Sequence, residues 1–129
     1  MKMLDTNICC YVITDVEPWS SAFAELGNDY VISAVVAYEL EIWARIPEVS
    51  KTTRFNILEF LSAIEVVPFD FQAAAASAIV IQGAGVKQRK VGNLDALIAG
   101  HAIAKNAVLI TNNEKDFSNV LGLVTSTTF

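Results

Sequence analysis

The stretch Tyr30-Val-Ile-Ser33-Ala-Val-Val-Ala-Tyr-Glu39-Leu-Glu-Ile-Trp-Ala-Arg-Ile46-Pro47 decides the fold class. Tyr30–Ile32 is a short run of aromatic and β-branched residues, the composition of a buried strand. Ser33 follows as a helix N-cap, because its hydroxyl can accept one of the first free backbone N–H groups. From Ala34 the apolar spacing turns helical and runs to Ile46, where Pro47 withdraws the next backbone donor. A strand that ends directly in a capped helix is the repeating unit of an α/β chain, and the unit recurs on both sides. Lys2–Leu4 runs into Asp5 and a helix over Thr6–Ile13, and a second helix spans Pro18–Leu26. Ser50 caps a helix to Ala63, Glu65–Phe69 is a strand, and Asp70 caps a helix to Gln82. Asn93 caps a helix over Leu94–Lys105, and Ala107–Ile110 is a strand. A short helix at Glu114–Phe117 then precedes a last strand at Leu121–Thr125. The alternation predicts an α/β fold with a central, mostly parallel β-sheet flanked by α-helices.

Length and composition bound the function. The 129 residues make one domain, residues 1–129. Hydrophobic residues reach 53% and the mean hydropathy is +0.44, which excludes intrinsic disorder. The 14 acids against 9 bases exclude a basic coat for nucleic acid. The longest near-apolar stretch, Ala73–Ile81, falls well short of the ~20 residues that span a bilayer, so no membrane role is expected. Asp5 and Asn7 interrupt the region where a signal peptide would need apolar residues. Cys9 and Cys10 are neighbours, poorly placed for a disulfide and without a nearby His for zinc. They read as small buried hydrophobes in a reducing cytoplasm.

Several carboxylates sit where apolar or neutral residues would be easier to accommodate. On a helical wheel Glu39 lies at the centre of an apolar arc, with Val35, Ile42 and Ile46 on one side and Val36, Leu40 and Trp43 on the other. Such a carboxylate needs a partner Arg or Lys, a proton, a metal, or an opening to water. Asp95 stands in the first turn of a helix that is apolar almost all round, on the face of Ile98, Ala99 and Ala102. The helix dipole alone would account for an acid there. Asp5 can serve as an N-cap and Asp116 as a loop-tip acid. Topology shifts the balance, because sites in parallel sheets form beyond the carboxyl ends of the strands. Asp5, the Ser33–Glu39 segment and the Thr111–Asp116 segment all follow strand ends. Carboxylates gathered in one place call for a hard divalent cation, Mg²⁺ or in its stead Mn²⁺. Such a site activates water and neutralises an in-line phosphodiester displacement.

Met3-Leu-Asp5-Thr-Asn7, Ala37-Tyr-Glu39-Leu, Gly92-Asn-Leu-Asp95-Ala-Leu-Ile-Ala-Gly-His101-Ala and Leu109-Ile-Thr-Asn-Asn113-Glu-Lys-Asp116-Phe together resemble the PIN-domain ribonucleases, specifically the VapC-type toxins. Each motif is weak alone; their order and spacing from Met1 to Phe117 make the resemblance specific, and the tail beyond carries no assignment. The resemblance implies a PIN-like fold and a Mg²⁺-dependent endoribonuclease that cleaves RNA. It also implies a homodimer and inhibition by a VapB-like antitoxin. By resemblance Asp5, Glu39 and Asp95 are the core metal-holding and catalytic acids. Family members place a fourth acid either where this chain has Asn113 or where it has Asp116. Asp116 is assigned here, with Thr111 and Asn113 as supporting groups.

The remaining polar features are secondary. His101, the only histidine, lies ~120° from Asp95 on the wheel and is expected to be structural. Lys87, Arg89 and Lys90 form the one basic cluster, either a solvated loop or a device steering RNA phosphates toward the acids. Trp19, Phe23, Trp43, Phe55 and Phe60 are expected in the core, or in part along a dimer seam or antitoxin groove. Two alternative functions stand beside the nuclease. A phospho-accepting, Mg²⁺-binding receiver domain would need adjacent acids near the first strand, whereas Asp5 stands alone and Lys105 precedes its strand. A catalytically silent PIN-like binding module would not need intact acids.

Overall fold

A computed structural model describes residues 1–25, 29–83 and 92–129. In chain order the elements are β1 (Lys2–Leu4), α1 (Thr6–Ile13), α2 (Trp19–Glu25), β2 (Tyr30–Ser33), α3 (Ala34–Ala44) and α4 (Lys51–Ala63). They continue with β3 (Glu65–Val67), α5 (Phe71–Gly83), α6 (Asn93–Ala104), β4 (Val108–Ile110), a 3-10 turn at Glu114–Phe117 and β5 (Val124–Ser126). The described strands form one five-stranded sheet in the order β3-β2-β1-β4-β5, every neighbouring pair parallel. The chain steps outward from β1 through β2 to β3, then returns to the other flank for β4 and β5. That reversal opens a crevice beyond the carboxyl ends of β1 and β4, where α/β sheets bind ligands. Met3, Leu4, Ile32, Leu109 and Ile110 of the three central strands are completely buried, packed with Val36, Leu40, Ile57 and Ile98 from the helices.

The caps explain why each helix begins where it does. Asp5 accepts the Ile8 N–H at 2.9 Å, Ser33 that of Val35 at 3.0 Å, Ser50 that of Thr53 at 3.1 Å, and Asp70 that of Ala73 at 2.9 Å. At α6 the expected cap is displaced: Gly92 is the N-cap, without a side-chain bond, and Asn93 is already helical. The α3 helix stops at Ala44, short of Ile46, where Arg54 Nε donates to the Ala44 carbonyl at 2.7 Å and ties α4 to the end of α3. The strands β3 and β5 also differ at their ends from the expected spans, closing at Val67 and beginning at Val124. Helices α5 and α6 approach to backbone contact. A Cβ at Gly100 would lie 2.2 Å from Ser77 Oγ and 2.4 Å from Ser77 Cα, so only glycine fits.

Two expectations about burial are corrected. The buried face of α3 is Val36, Leu40 and Ala44, whereas Ile42 and Ile46 are 47% and 39% exposed. Glu39 therefore stands at the margin of the buried face rather than at its centre, and is half-buried. The helix is apolar on so much of its circumference that the wheel could not tell which half meets the sheet. Phe55, expected in the core, is 64% exposed on α4, while Phe60 is buried and Trp19, Phe23 and Trp43 are half-buried. Cys9 is buried and Cys10 half-buried; both are free, and burial pushes both thiols up toward inert, protonated forms. Among the described residues no helix is long and apolar enough to cross a membrane.

Candidate active site

The site grows from the end of β1. Asp5 continues that strand, its N–H donating to the Ile110 carbonyl of β4 at 3.1 Å, and its residue surface is only 6% exposed. One carboxylate oxygen caps α1 through Ile8. Thr111, the residue after β4, is fully buried, and its hydroxyl acts to hold the Asp5 carboxyl down. The Thr111 hydroxyl accepts the Asn113 N–H at 3.0 Å, and the Thr111 N–H donates at 2.9 Å to the carbonyl of Ser126, the last residue of β5. Asp5 is thus held from both sides of the crevice.

Glu39 reaches the same place from α3. Its Oε1 accepts the Thr6 hydroxyl at 2.6 Å, so the residue following Asp5 orients a second acid. Sequence reasoning passed over Thr6; the only signal was a hydroxyl directly after a strand-end aspartate. Asp95, in the first turn of α6, is half-buried, and Asp116 is exposed on the 3-10 turn.

The electrostatics show that these acids feel one another. Burial raises the Asp5 carboxyl; the hydrogen bonds from Thr111 and Ile8 oppose the rise, and the Asp95 and Glu39 charges add to it. Burial likewise raises Asp95, reinforced by Glu39 and then by Asp116. The fold therefore brings all four acids into one field. Of the two positions open for a fourth acid, Asp116 reaches Asp95 electrostatically, while Asn113 contributes its main-chain N–H to Thr111. Lys87, Arg89 and Lys90 lie outside the described residues.

The partner Arg or Lys that could have explained Glu39 is not what it meets. Among the described residues the ion pairs are Arg45–Glu41 and Lys105–Asp70, and neither involves the four acids. Among the described residues no three acidic, His or Cys side chains converge closely enough to hold one metal ion by themselves. An all-oxygen set with one dominant buried carboxylate and looser neighbours suits Mg²⁺ or Mn²⁺, which keep several waters and take one or two carboxylates. His101 is buried with Ser33, and burial keeps the Cys9 and Cys10 thiols raised, so neither offers a ready ligand to a thiolate- or imidazole-seeking metal.

A parallel α/β sheet with a carboxylate cluster at its switch point defines a class, and comparison with known proteins agrees. A family model described as the PIN domain matches residues 2–122. "Ribonuclease VapC2" of Rickettsia felis is 34% identical over 125 residues, covering 95% of this chain and 93% of the relative. "tRNA(fMet)-specific endonuclease VapC" of Shigella flexneri is also 34% identical over 125 residues, covering 95% and 94%. Among solved structures, that of VapBC2 from Rickettsia felis bound to a DNA fragment from their promoter aligns with TM-score 0.85 and 30% identity, over 97% of this chain and 96% of that one. DNA-bound VapBC from Salmonella typhimurium aligns with TM-score 0.83 and 31% identity, over 98% of both chains. The chain belongs to the PIN-domain family, in its VapC branch. That membership replaces the receiver-domain alternative.

Proposed function

We propose that this chain is a Mg²⁺-dependent endoribonuclease toxin that hydrolyses phosphodiester bonds in RNA. A VapB-like antitoxin neutralises it, and it works as a homodimer in the cytoplasm. The observation that carries the reading is the mutual field of Asp5, Glu39, Asp95 and Asp116 beyond the ends of β1 and β4. The names of the VapC relatives and the VapBC complexes among the structural neighbours support the substrate class and the kind of partner.

Each residue has a defined task. Asp5 and Asp95 would hold the ion, with Glu39 and Asp116 completing the acidic pocket directly or through water. Bound there, the ion supplies Lewis acidity and neutralises charge at the scissile phosphate. Thr111 and the Ile8 N–H keep the Asp5 carboxylate aimed into the crevice, and Thr6 does the same for Glu39. Partial burial keeps water from screening these charges, so their hold on a cation is stronger than on an open surface. Lys87, Arg89 and Lys90 draw the RNA backbone toward an otherwise repulsive site.

Asp95→Asn tests the assignment. The variant is expected to stay folded by circular dichroism and to lose RNA cleavage. Cleavage at the wild-type rate with unchanged metal dependence would sink the assignment. Expressing wild type and Asp5→Ala in a bacterium, then mapping new RNA 5′ ends, gives the cellular counterpart: new ends are expected with the wild type alone.

A further inference from the structure

His101 is completely buried on α6, yet it is not merely filling space. Its Nδ1 lies 2.7 Å from the Ser33 hydroxyl, 68 residues away in sequence, and its ring meets Phe69 edge-on with centroids 5.3 Å apart. Its Nε2 is buried without a hydrogen-bond partner among the described residues. An apolar side chain of the same size would leave no unpaired polar atom there, so packing alone does not call for imidazole.

The proton positions follow from counting donors. Ser33 Oγ already accepts the Val35 N–H at 3.0 Å, so its own hydrogen is free to be donated to Nδ1. The ring is then the Nε2–H tautomer. The reverse tautomer would leave the serine hydrogen without this acceptor. Burial favours the neutral ring, and the charges of Asp70 and Lys105, themselves an ion pair at 3.1 Å, act on it in opposite senses.

Position gives this bond its meaning. Ser33 ends β2 and begins α3; Glu39 lies six residues further along. His101 lies on α6, six residues after Asp95. Extending the pairing Met3↔Val31 by two residues sets Ser33 level with Asp5, and Ser33 itself pairs with Val67. A single side chain from α6 thus engages the strand-end layer in which Asp5 sits. It is fastened to the residue that starts the helix bearing Glu39.

We propose that His101 is a positioning residue for the acidic site, setting through Ser33 the placement of the Glu39 helix relative to the Asp95 helix. The proposal rests on the acidic-site reading above. His101→Leu removes the bond at similar volume, whereas His101→Asn restores a polar atom near the Nδ1 position. Four proteins are compared with wild type: His101→Leu, His101→Asn, Ser33→Ala, and Ser33→Ala with His101→Leu. Readouts are the melting temperature, Mn²⁺ affinity by electron paramagnetic resonance, kcat and KM for RNA cleavage, and amide exchange of Val35 and Val36 without metal. His101→Leu is expected to stay folded, to lose about 10- to 100-fold in Mn²⁺ affinity or kcat with KM little changed, and to exchange faster at the start of α3. His101→Asn is expected to recover much of the loss, and the double variant to be no worse than its worse parent. Wild-type Mn²⁺ binding and exchange in His101→Leu would overturn the proposal, as would strictly additive losses in the double variant. If wild type itself neither binds Mn²⁺ nor cuts RNA, the metal-site reading fails. Amide exchange then still decides whether His101 orders the Glu39 helix.

Discussion

Asp5 accepts the Ile8 N–H as N-cap of α1 and also presents a carboxylate to the acidic cluster. Two substitutions separate these duties. Asn caps a helix as well as Asp does but carries no charge, so Asp5→Asn is expected to melt above wild type at neutral pH in chelator while losing cleavage. Asp5→Ala loses the cap as well and is expected to be about 1 kcal/mol less stable than Asp5→Asn. The pH dependence has a definite sign. A carboxyl raised by folding binds its proton more readily in the folded state, so its stabilising contribution is present at low pH and fades as pH climbs through the raised range. The stability gap between Asp5→Asn and metal-free wild type should therefore widen with rising pH. Thermal melts across a pH series check it, and a gap that narrows would contradict the burial effect at Asp5. At Thr6 the expectation is milder. Thr6→Val removes the hydroxyl that orients Glu39 and should lower kcat about 10-fold, with the melting temperature nearly unchanged.

At the scale of elements, the contact of α5 with α6 is the most sharply defined. Because a Cβ at Gly100 would strike the Ser77 backbone as well as its hydroxyl, Gly100→Ala is expected to destabilise by about 3 kcal/mol or more. Adding Ser77→Ala should rescue little of it, since the Cα and N of residue 77 remain. Denaturant unfolding of the single and double variants measures both effects. The element order was readable in advance because Asp5, Ser33, Ser50 and Asp70 are capping residues placed directly before apolar-periodic runs, and each does cap. The acids were readable because they interrupt apolar patterns or follow strand ends. What was not readable is instructive. The apolar residues of α3 cover too much of its surface for periodicity to pick the buried half, so the pattern alone sets Glu39 too deep. The Ser33–His101 and Thr6–Glu39 bonds join residues distant in sequence, and no local pattern encodes a partner across the fold.

For the molecule as a whole, the four site acids account for most of the excess of 14 acids over 9 bases. The acidity that argues against a nucleic-acid coat is thereby concentrated at one crevice. A bound divalent ion should then act as a stabilising ligand for the entire domain. Saturating Mg²⁺ or Mn²⁺ is expected to raise the melting temperature of wild type, with about 2.7 kcal/mol gained at a hundredfold excess over Kd. Asp95→Asn should lose most of this gain. An equal gain in both proteins would place the ion elsewhere.

The placement of β1 at the middle of the sheet has a consequence in time. Its residues are among the first of the chain, yet one of its two neighbours is β4, with Lys2 paired to Val108 and Leu4 to Ile110. Long-range parallel pairing of this kind forms slowly, because distant segments must meet before any contact rewards the closure. Asp5 and Thr111 come together only in that step. Catalytic competence should therefore arrive all at once on refolding, in the same kinetic phase as the final sheet, with no partly active species before it.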